Sequence, residues 1–235
     1  MDIRKVTPWF PRGTYIYQDG NLQIELSTVA GGLVLPMGRN PGFGVLLAQQ
    51  KGWNAGFGCR ALYSLVEFEG GDADTLIRQC LDLSISLQIQ RWYGDAMSDV
   101  NRLTLEGWNR QQAPGQRRFT LSTPPLLKAN DAKDTFGFGI RRIQERRVMG
   151  RTNLDLEATP KIPAALLTVP PECADGRAIE KYPAVAALCF VVAALDFHDR
   201  PSSRGTEEAY TDNSERRETQ RWNRNLPREG HYYDS

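Results

Sequence analysis

Aspartates that follow apolar segments are the residues of this chain best suited to catalysis. The tetrapeptide Trp92-Tyr93-Gly94-Asp95 ends a segment, residues 87–93, that is predicted to be a β-strand. Asp95 would then stand at the carboxyl end of a strand, where α/β proteins tend to bind ligands. The same residue is equally suited to closing a turn, because aspartate side chains accept hydrogen bonds from backbone amides that follow them.

Three other aspartates are candidates for the same chemistry. Asp19 precedes Gly20 in a predicted hairpin turn, and Asp196 and Asp199 follow a long apolar run. Together with Asp95 they are the candidate acidic residues of one site. For Asp196 and Asp199 the favoured interpretation is an ordinary role at a helix end.

A basic segment is the second functional candidate. Residues 110–151 contain ten Lys and Arg against three Asp and Glu, although the whole chain has a net charge of only +1. Arginines at helical spacing would contact a DNA or RNA backbone without reading its sequence. The alternative, slightly favoured, is a solvated helix face. The arginines concerned are Arg117, Arg118, Arg141, Arg142, Arg146, Arg147 and Arg151.

Several other classes of site are disfavoured by the sequence. The four cysteines form no CxxC pair and lie near no histidine at ligand spacing, so a zinc site is not expected. The chain has no phosphate-binding P-loop and no nucleophile elbow. With only two histidines, His198 and His231, a catalytic triad would have to use one of them.

The predicted strands and helices that must position these residues indicate an α/β fold. Strands are predicted through about residue 70, Asp72 or Asp74 can cap a following helix, and residues 136–148 suggest another helix. Residues 158–182 are predicted to be a proline-rich connection. The apolar run 183–195 has thirteen residues, whereas a bilayer span needs about 20. It is therefore predicted to be a buried core helix, and no membrane partner is expected.

Domain organisation follows from where the apolar content falls. Residues 1–199 are predicted to form a single α/β domain, and residues 200–235 a disordered polar tail. The tail contains His231-Tyr232-Tyr233-Asp234, a candidate docking motif. The N-terminal sequence has no apolar segment typical of a signal peptide. We expect a protein of a host-cell cytoplasm or of a virion.

The stretch from Gly38-Arg39-Asn40-Pro41-Gly42 to Asp95 resembles the ribonuclease-H-like nuclease domain of phage large terminases, the DNA-packaging motors. In that family a glycine- and proline-bearing turn opens the sheet, and strands, a helix and a strand ending in a YGD-like motif follow. The resemblance covers about a quarter of the chain. It implies a mixed β-sheet with flanking helices, a Mg²⁺ or Mn²⁺ site, and Asp95 as one metal ligand.

One residue departs from that family pattern. The family's first strand carries a metal-binding aspartate, and the matching turn here offers Asn40, unless Asp19 is the first-strand acid. With Asn40, the resemblance implies a degenerate nuclease fold in a phage-type accessory protein that binds nucleic acid or a packaging or virion partner. One alternative is an active metal-dependent nuclease, in which the resemblance implies that Asp95 with Asp19 and Asp196 or Asp199 would hold two divalent metal ions that activate water and stabilise the leaving oxygen. The other is a structural virion protein whose tail docks on a neighbour.

Overall fold

A computed structural model describes residues 6–9, 14–19, 21–51, 60–89, 91–124, 132–153, 159–170 and 181–199. The described strands are β1 (Val6–Trp9), β2 (Thr14–Asp19), β3 (Leu22–Val34), β4 (Gly42–Gln50), β5 (Leu62–Gly70), β6 (Trp92–Tyr93), β7 (Leu121–Ser122) and β8 (Thr152–Asn153). The described helices are α1 (Ala73–Ser86), α2 (Asp99–Gln111), α3 (Ala132–Val148), α4 (Lys161–Thr168) and α5 (Pro183–Asp199).

These strands form one mixed sheet. The order β1-β2-β3-β4-β5-β8 runs across it, antiparallel from β1 to β5, and β8 is parallel to β5. The short strand β6 lies parallel to β3 on one side and parallel to β7 on the other. The long strand β3 therefore carries two neighbours on one edge, β2 along its first half and β6 near its end.

Helices cover both faces of the sheet, because successive side chains of a strand point in opposite directions. Val29 and Leu33 of β3 pack into a core with α1 and α2. Ala30 and Val34 of the same strand pack into a second core with α3, α4 and α5. The described part of the chain is thus an α/β protein of three layers.

Several elements agree with the sequence predictions. Asp19 pairs with Leu22 across the predicted hairpin turn. The carboxylate of Asp72 accepts a hydrogen bond from the backbone amide of Thr75 (2.7 Å) and caps α1 as predicted. α5 is buried on all sides along residues 184–196, which confirms the prediction of a core helix. Among the described residues, no helix has the length and apolar content needed to cross a bilayer.

The predicted connection 158–182 was wrong in part, because α4 lies within it. Pro160 precedes this helix and Pro163 falls in its first turn, where the missing amide hydrogen of proline costs nothing. The carboxylate of Glu67 on β5 accepts hydrogen bonds from the first two helical amides, those of Lys161 (2.7 Å) and Ile162 (3.1 Å). The predicted tail, residues 200–235, lies outside the described residues.

Candidate functional site

The carboxyl ends of β3 and β6 lie at the same edge of the sheet, because the two strands are parallel. Asp95 follows β6 at this edge. Its carboxylate accepts hydrogen bonds from the backbone amides of Met97 (3.2 Å) and Ser98 (3.0 Å), and its own carbonyl accepts one from the side-chain amide of Asn101 (2.7 Å). Asp95 therefore closes the turn that leads into α2, which is one of the two roles its sequence context allowed.

The turn between β3 and β4 lies beyond the same edge. Met37 and Asn40 exchange two backbone hydrogen bonds (3.2 and 3.0 Å), and Gly38 between them has a φ of +61°, which favours glycine. Asn40 is exposed. The residue that matched the family's first-strand acid thus belongs to a tight surface turn and not to a strand.

The strand beside β6 is β3, and its register places Gly31 opposite Trp92 and Gly32 opposite Tyr93. From residue 26 to residue 34 this strand has no carboxylate. On one face, a Cβ at position 31 would lie 2.0 Å from the Trp92 ring. On the other, a Cβ at position 32 would lie 1.9 Å from the carbonyl oxygen of Ala187 on α5. Protein atoms already fill the space that a side chain from either position would need.

Asp196 forms a buried cluster with two of the predicted nucleic-acid-binding arginines. Its carboxylate accepts hydrogen bonds from Nε of Arg142 (2.7 Å) and Nε of Arg146 (3.2 Å), and a second Arg146 nitrogen completes a bidentate pair. The remaining terminal nitrogen of Arg146 donates to the carbonyl of Arg60, just before β5. Each Asp196 oxygen is occupied by a guanidinium, so this carboxylate is a poor candidate for a metal ligand.

Burial and charge act in opposite directions on Arg142. Burial lowers the pKa of its guanidinium, but the hydrogen bonds and negative charges of Asp196 and Glu145 raise it, and the resulting pKa lies above its ordinary value. Arg142 is therefore held charged inside the α3–α5 contact.

The seven arginines do not share one surface. Arg141 and Arg147 of α3 are exposed, and so are Arg117 and Arg118 in the connection from α2 to β7. Arg151 is half-buried beside β8, where its carbonyl accepts from the amide of Leu62 (2.9 Å). Arg146 is fully buried, so no phosphate can reach its guanidinium in this structure. Helical spacing alone did not distinguish the buried arginines from the exposed ones.

Two of the predicted acids cannot be placed relative to Asp95. Asp19 ends β2 and Asp199 ends α5, but the positions of both side chains lie outside the described residues. Across the described part of the chain, no three His, Cys, Asp or Glu side chains converge in a group that could hold a metal ion. The described residues do not fit the two-metal site that the family resemblance implies.

Compared with protein-family models, with curated proteins and with solved structures, the chain matches none. Nothing in these comparisons identifies a terminase nuclease domain.

One surface feature was missed from the sequence. Val100 and Leu103 are large apolar residues, 53% and 59% exposed, in the first turns of α2, and Met97, 67% exposed, lies in the turn before this helix. Their spacing of three residues places Val100 and Leu103 along one side of the helix. The signal was present in the sequence, but the same spacing is also typical of a face that packs into a core.

Proposed function

We propose that this chain is a non-catalytic nucleic-acid-binding protein on a ribonuclease-H-like scaffold, acting as an accessory to phage-type DNA packaging or virion assembly. The association with packaging rests on the resemblance of Trp92-Tyr93-Gly94-Asp95 and the preceding turn to large terminases. The scaffold and the lack of catalysis have separate physical support.

The strand order supports the scaffold. Within the larger sheet, β5-β4-β3-β6-β7 runs antiparallel up to β3 and parallel from β3 to β7. The first three of these strands in the chain form a meander, and α1 then leads to a strand laid parallel to the first. This is the arrangement expected of a ribonuclease-H-like domain.

The packing around Gly31 and Gly32 is the observation that carries the lack of catalysis. A two-metal nuclease of this fold needs a carboxylate on the strand beside Asp95. In β3, the stretch in register with Trp92 and Tyr93 presents two glycines, and the Trp92 ring and the Ala187 carbonyl close the space on either face. The Asp95 carboxylate binds backbone amides of its own turn.

Exposed arginines support nucleic-acid binding. Arg141 and Arg147 on α3, with Arg117 and Arg118 before β7, have no ion pair among the interactions found in the described residues. Each would add a salt-sensitive phosphate contact. Some exposed arginines elsewhere are already paired: Arg78 binds Asp74 (2.8 Å), and Arg110 binds Glu106 (3.2 Å).

Binding is tested by fluorescence anisotropy with labelled double-stranded and single-stranded DNA and RNA over a salt series. For Arg141→Ala/Arg147→Ala, we expect weaker binding and a slope of log affinity against log salt lower by about 2, since each duplex phosphate contact contributes roughly 0.9. Arg78→Ala, on the opposite helical layer, is the matched control and should leave the slope unchanged. Equal slopes for all three proteins, or no binding at low salt, would overturn the proposal.

Catalysis is tested separately on plasmid, single-stranded DNA and RNA with Mg²⁺ or Mn²⁺. We expect no cleavage by wild-type protein. Cleavage that Asp95→Ala abolishes, with the variant still folded by circular dichroism, would instead establish the metal-dependent nuclease that the sequence left open.

A further inference from the structure

The amino ends of β6 and β7 lie in a basic part of the molecule. These two strands are parallel neighbours, and Trp92 is opposite Leu121 in their register. The stretches 83–94 and 107–124 build this region, and neither contains an Asp or a Glu. The region is therefore positively charged, although the whole chain has a net charge of only +1. Its arginines are Arg91, Arg110, Arg117 and Arg118.

Three of these arginines are available to a binding partner. Arg91, Arg117 and Arg118 are exposed, and none of them forms an ion pair with any residue that the structure describes. Arg110 differs from them, because its guanidinium lies 3.2 Å from the carboxylate of Glu106. We define Arg91, Arg117 and Arg118 as the arginine corner.

The alternation of side chains places two of the three arginines on the same side of the sheet. Phe119 and Leu121 both pack on the core that contains α1 and α2, so Arg118, next to Phe119, points to the opposite side. Trp92 packs into the same core, and Arg91 precedes it in the chain. Arg91 and Arg118 therefore extend from neighbouring strands, about 4.8 Å apart, on the side away from α1 and α2.

Hydrogen bonds hold the backbone of the loop 112–118, which carries the other two positions of the arginine corner. The side chain of Asn109 on α2 binds the backbone of Phe119 twice, because it donates to the carbonyl (2.9 Å) and accepts from the amide (2.9 Å). Within the loop, the amide of Gln116 donates to the carbonyl of Ala113 (3.0 Å) and closes a turn. A loop that is already ordered loses less conformational entropy when it binds a partner.

We propose that the arginine corner binds the sugar-phosphate backbone of a nucleic acid and does not read its bases. This inference deepens the proposed function and rests on it, since it names where the chain contacts nucleic acid and in what manner. Guanidinium groups bind phosphate oxygens through charge-assisted hydrogen bonds, and such contacts carry no sequence information. The arginine corner lies at the amino end of β6, whereas Asp95 follows the carboxyl end of this strand. Binding is thus assigned to the end of β6 that Asp95 does not occupy.

The aromatic side chains of the same region explain why only the backbone is contacted. Trp92, Trp108 and Phe119 are 3%, 7% and 3% exposed. Among all the side chains that the structure describes, no aromatic one is exposed. Proteins that hold unstacked bases use exposed aromatic rings as stacking surfaces. The arginine corner offers positive charge without such a surface, so we expect binding that is independent of sequence.

The test is fluorescence anisotropy of the full chain with a short labelled DNA duplex over a salt series. For Arg91→Ala/Arg117→Ala/Arg118→Ala we expect weaker binding and a slope of log affinity against log salt lower by about 3, since each duplex phosphate contact contributes roughly 0.9. Arg118→Ala alone should lower the slope by about 1. Arg39→Ala is the matched single control and should leave it unchanged. Arg39 is also exposed and forms no ion pair with a described residue, but it lies in the turn between β3 and β4, at the opposite edge of the sheet.

A variant that keeps the charges distinguishes phosphate contacts from a structural role of the arginines. Lysine carries the same charge as arginine but lacks the planar guanidinium that reads base edges or joins several groups. We therefore expect Arg91→Lys/Arg117→Lys/Arg118→Lys to retain the wild-type slope. Two duplexes of equal length and unrelated sequence should bind wild-type protein equally well. Far-UV circular dichroism establishes that each variant is folded.

Three results would overturn this inference: an unchanged slope for the triple alanine variant, an equal fall in slope for Arg39→Ala, or a marked preference for one of the two duplex sequences. Its failure is distinguishable from failure of the proposed function. If Arg141→Ala/Arg147→Ala lowers the slope and the triple alanine variant does not, only the arginine corner is excluded. If wild-type protein binds no nucleic acid at low salt, both proposals fail.

Discussion

Arg146 and Asp196 form an ion pair whose side chains are 0% and 2% exposed, and this pair joins α3 to α5 beneath the sheet. The arginine-rich helix therefore has an inner side that holds the fold together and an outer side that faces solvent. Arg146 and Arg147 are consecutive in the chain, yet the first is buried and the second is exposed for that reason.

Removing one member of this pair should be costly. Asp196→Ala leaves the Arg146 charge buried without its carboxylate, for which we expect a loss of about 3–5 kcal/mol in the free energy of unfolding. Glu145→Ala removes an exposed partner of Arg142 from the same helix and should change that free energy by about 0.5 kcal/mol or less. Urea denaturation measures both. Similar losses of unfolding free energy for the two variants would show that the buried pair contributes no more to stability than the exposed one.

The tight packing against Gly31 and Gly32 of β3 leads to a second prediction. Gly32→Ala drives a methyl group into the backbone carbonyl of Ala187, and we expect a loss near the upper end of the range for overpacking, about 3 kcal/mol. Gly31→Ala should cost less, because the Trp92 ring is a side chain that can shift. Gly71→Ala is the control, since a Cβ there has no heavy atom within 4 Å. Unchanged stability of Gly32→Ala would contradict the packing described for α5.

A substitution at Gln88, the second residue after α1, should raise the stability of the protein. Gln88 has a φ of +52°, a left-handed conformation that side chains disfavour and that glycine adopts readily at helix ends. We expect Gln88→Gly to raise the free energy of unfolding by about 0.5–1 kcal/mol. Gln88→Ala keeps a Cβ at that φ and should give no gain. The melting temperatures of the three proteins measure the effect, and a loss for the glycine variant alone would refute it.

The free energy of unfolding should fall at acidic pH as the Asp72 carboxyl is protonated. The Thr75 amide and hydroxyl hold the pKa of this capping carboxyl below its ordinary value of 3.8. A carboxyl whose folded pKa is depressed adds stability above its unfolded pKa and loses it as pH falls through the folded pKa. Asp72→Asn keeps an acceptor oxygen but does not ionise. The stability difference between wild type and this variant should therefore be constant near neutral pH and shrink below about pH 4; a difference independent of pH would exclude this origin.

Local signals in the sequence were sufficient for part of the fold. The Asp-Gly turn, the Asp72 cap and the uniformly apolar α5 were all predictable, since each depends on a few neighbouring residues. That β3 is one continuous strand was not predictable, because Gly31-Gly32 is typical of a break in a strand when the residues that pack on the glycines are unknown. The structure accounts for the glycines by what packs on them, a tryptophan from β6 and the backbone of α5.

The candidate site was less predictable than the fold. Position at a strand end pointed to Asp95 but could not show which groups its carboxylate would bind. Likewise, helical spacing grouped Arg141, Arg142, Arg146 and Arg147, yet only tertiary packing determined that Asp196 would face two of them. The Asp95 carboxylate binds amides of its own turn, a role that the sequence allowed alongside a ligand role but could not choose. The Asp196 contacts join residues about fifty positions apart, and such pairs leave no mark on a single sequence.

The two glycines of β3 also restrict how this protein can change over generations. An aspartate at position 31 would need a smaller residue at position 92 first, and one at position 32 would need α5 to move away from the sheet. Each intermediate would be less stable than its parent, so selection for folding opposes the introduction of a side chain at either position. These two positions of β3 are consequently closed to change by single substitutions.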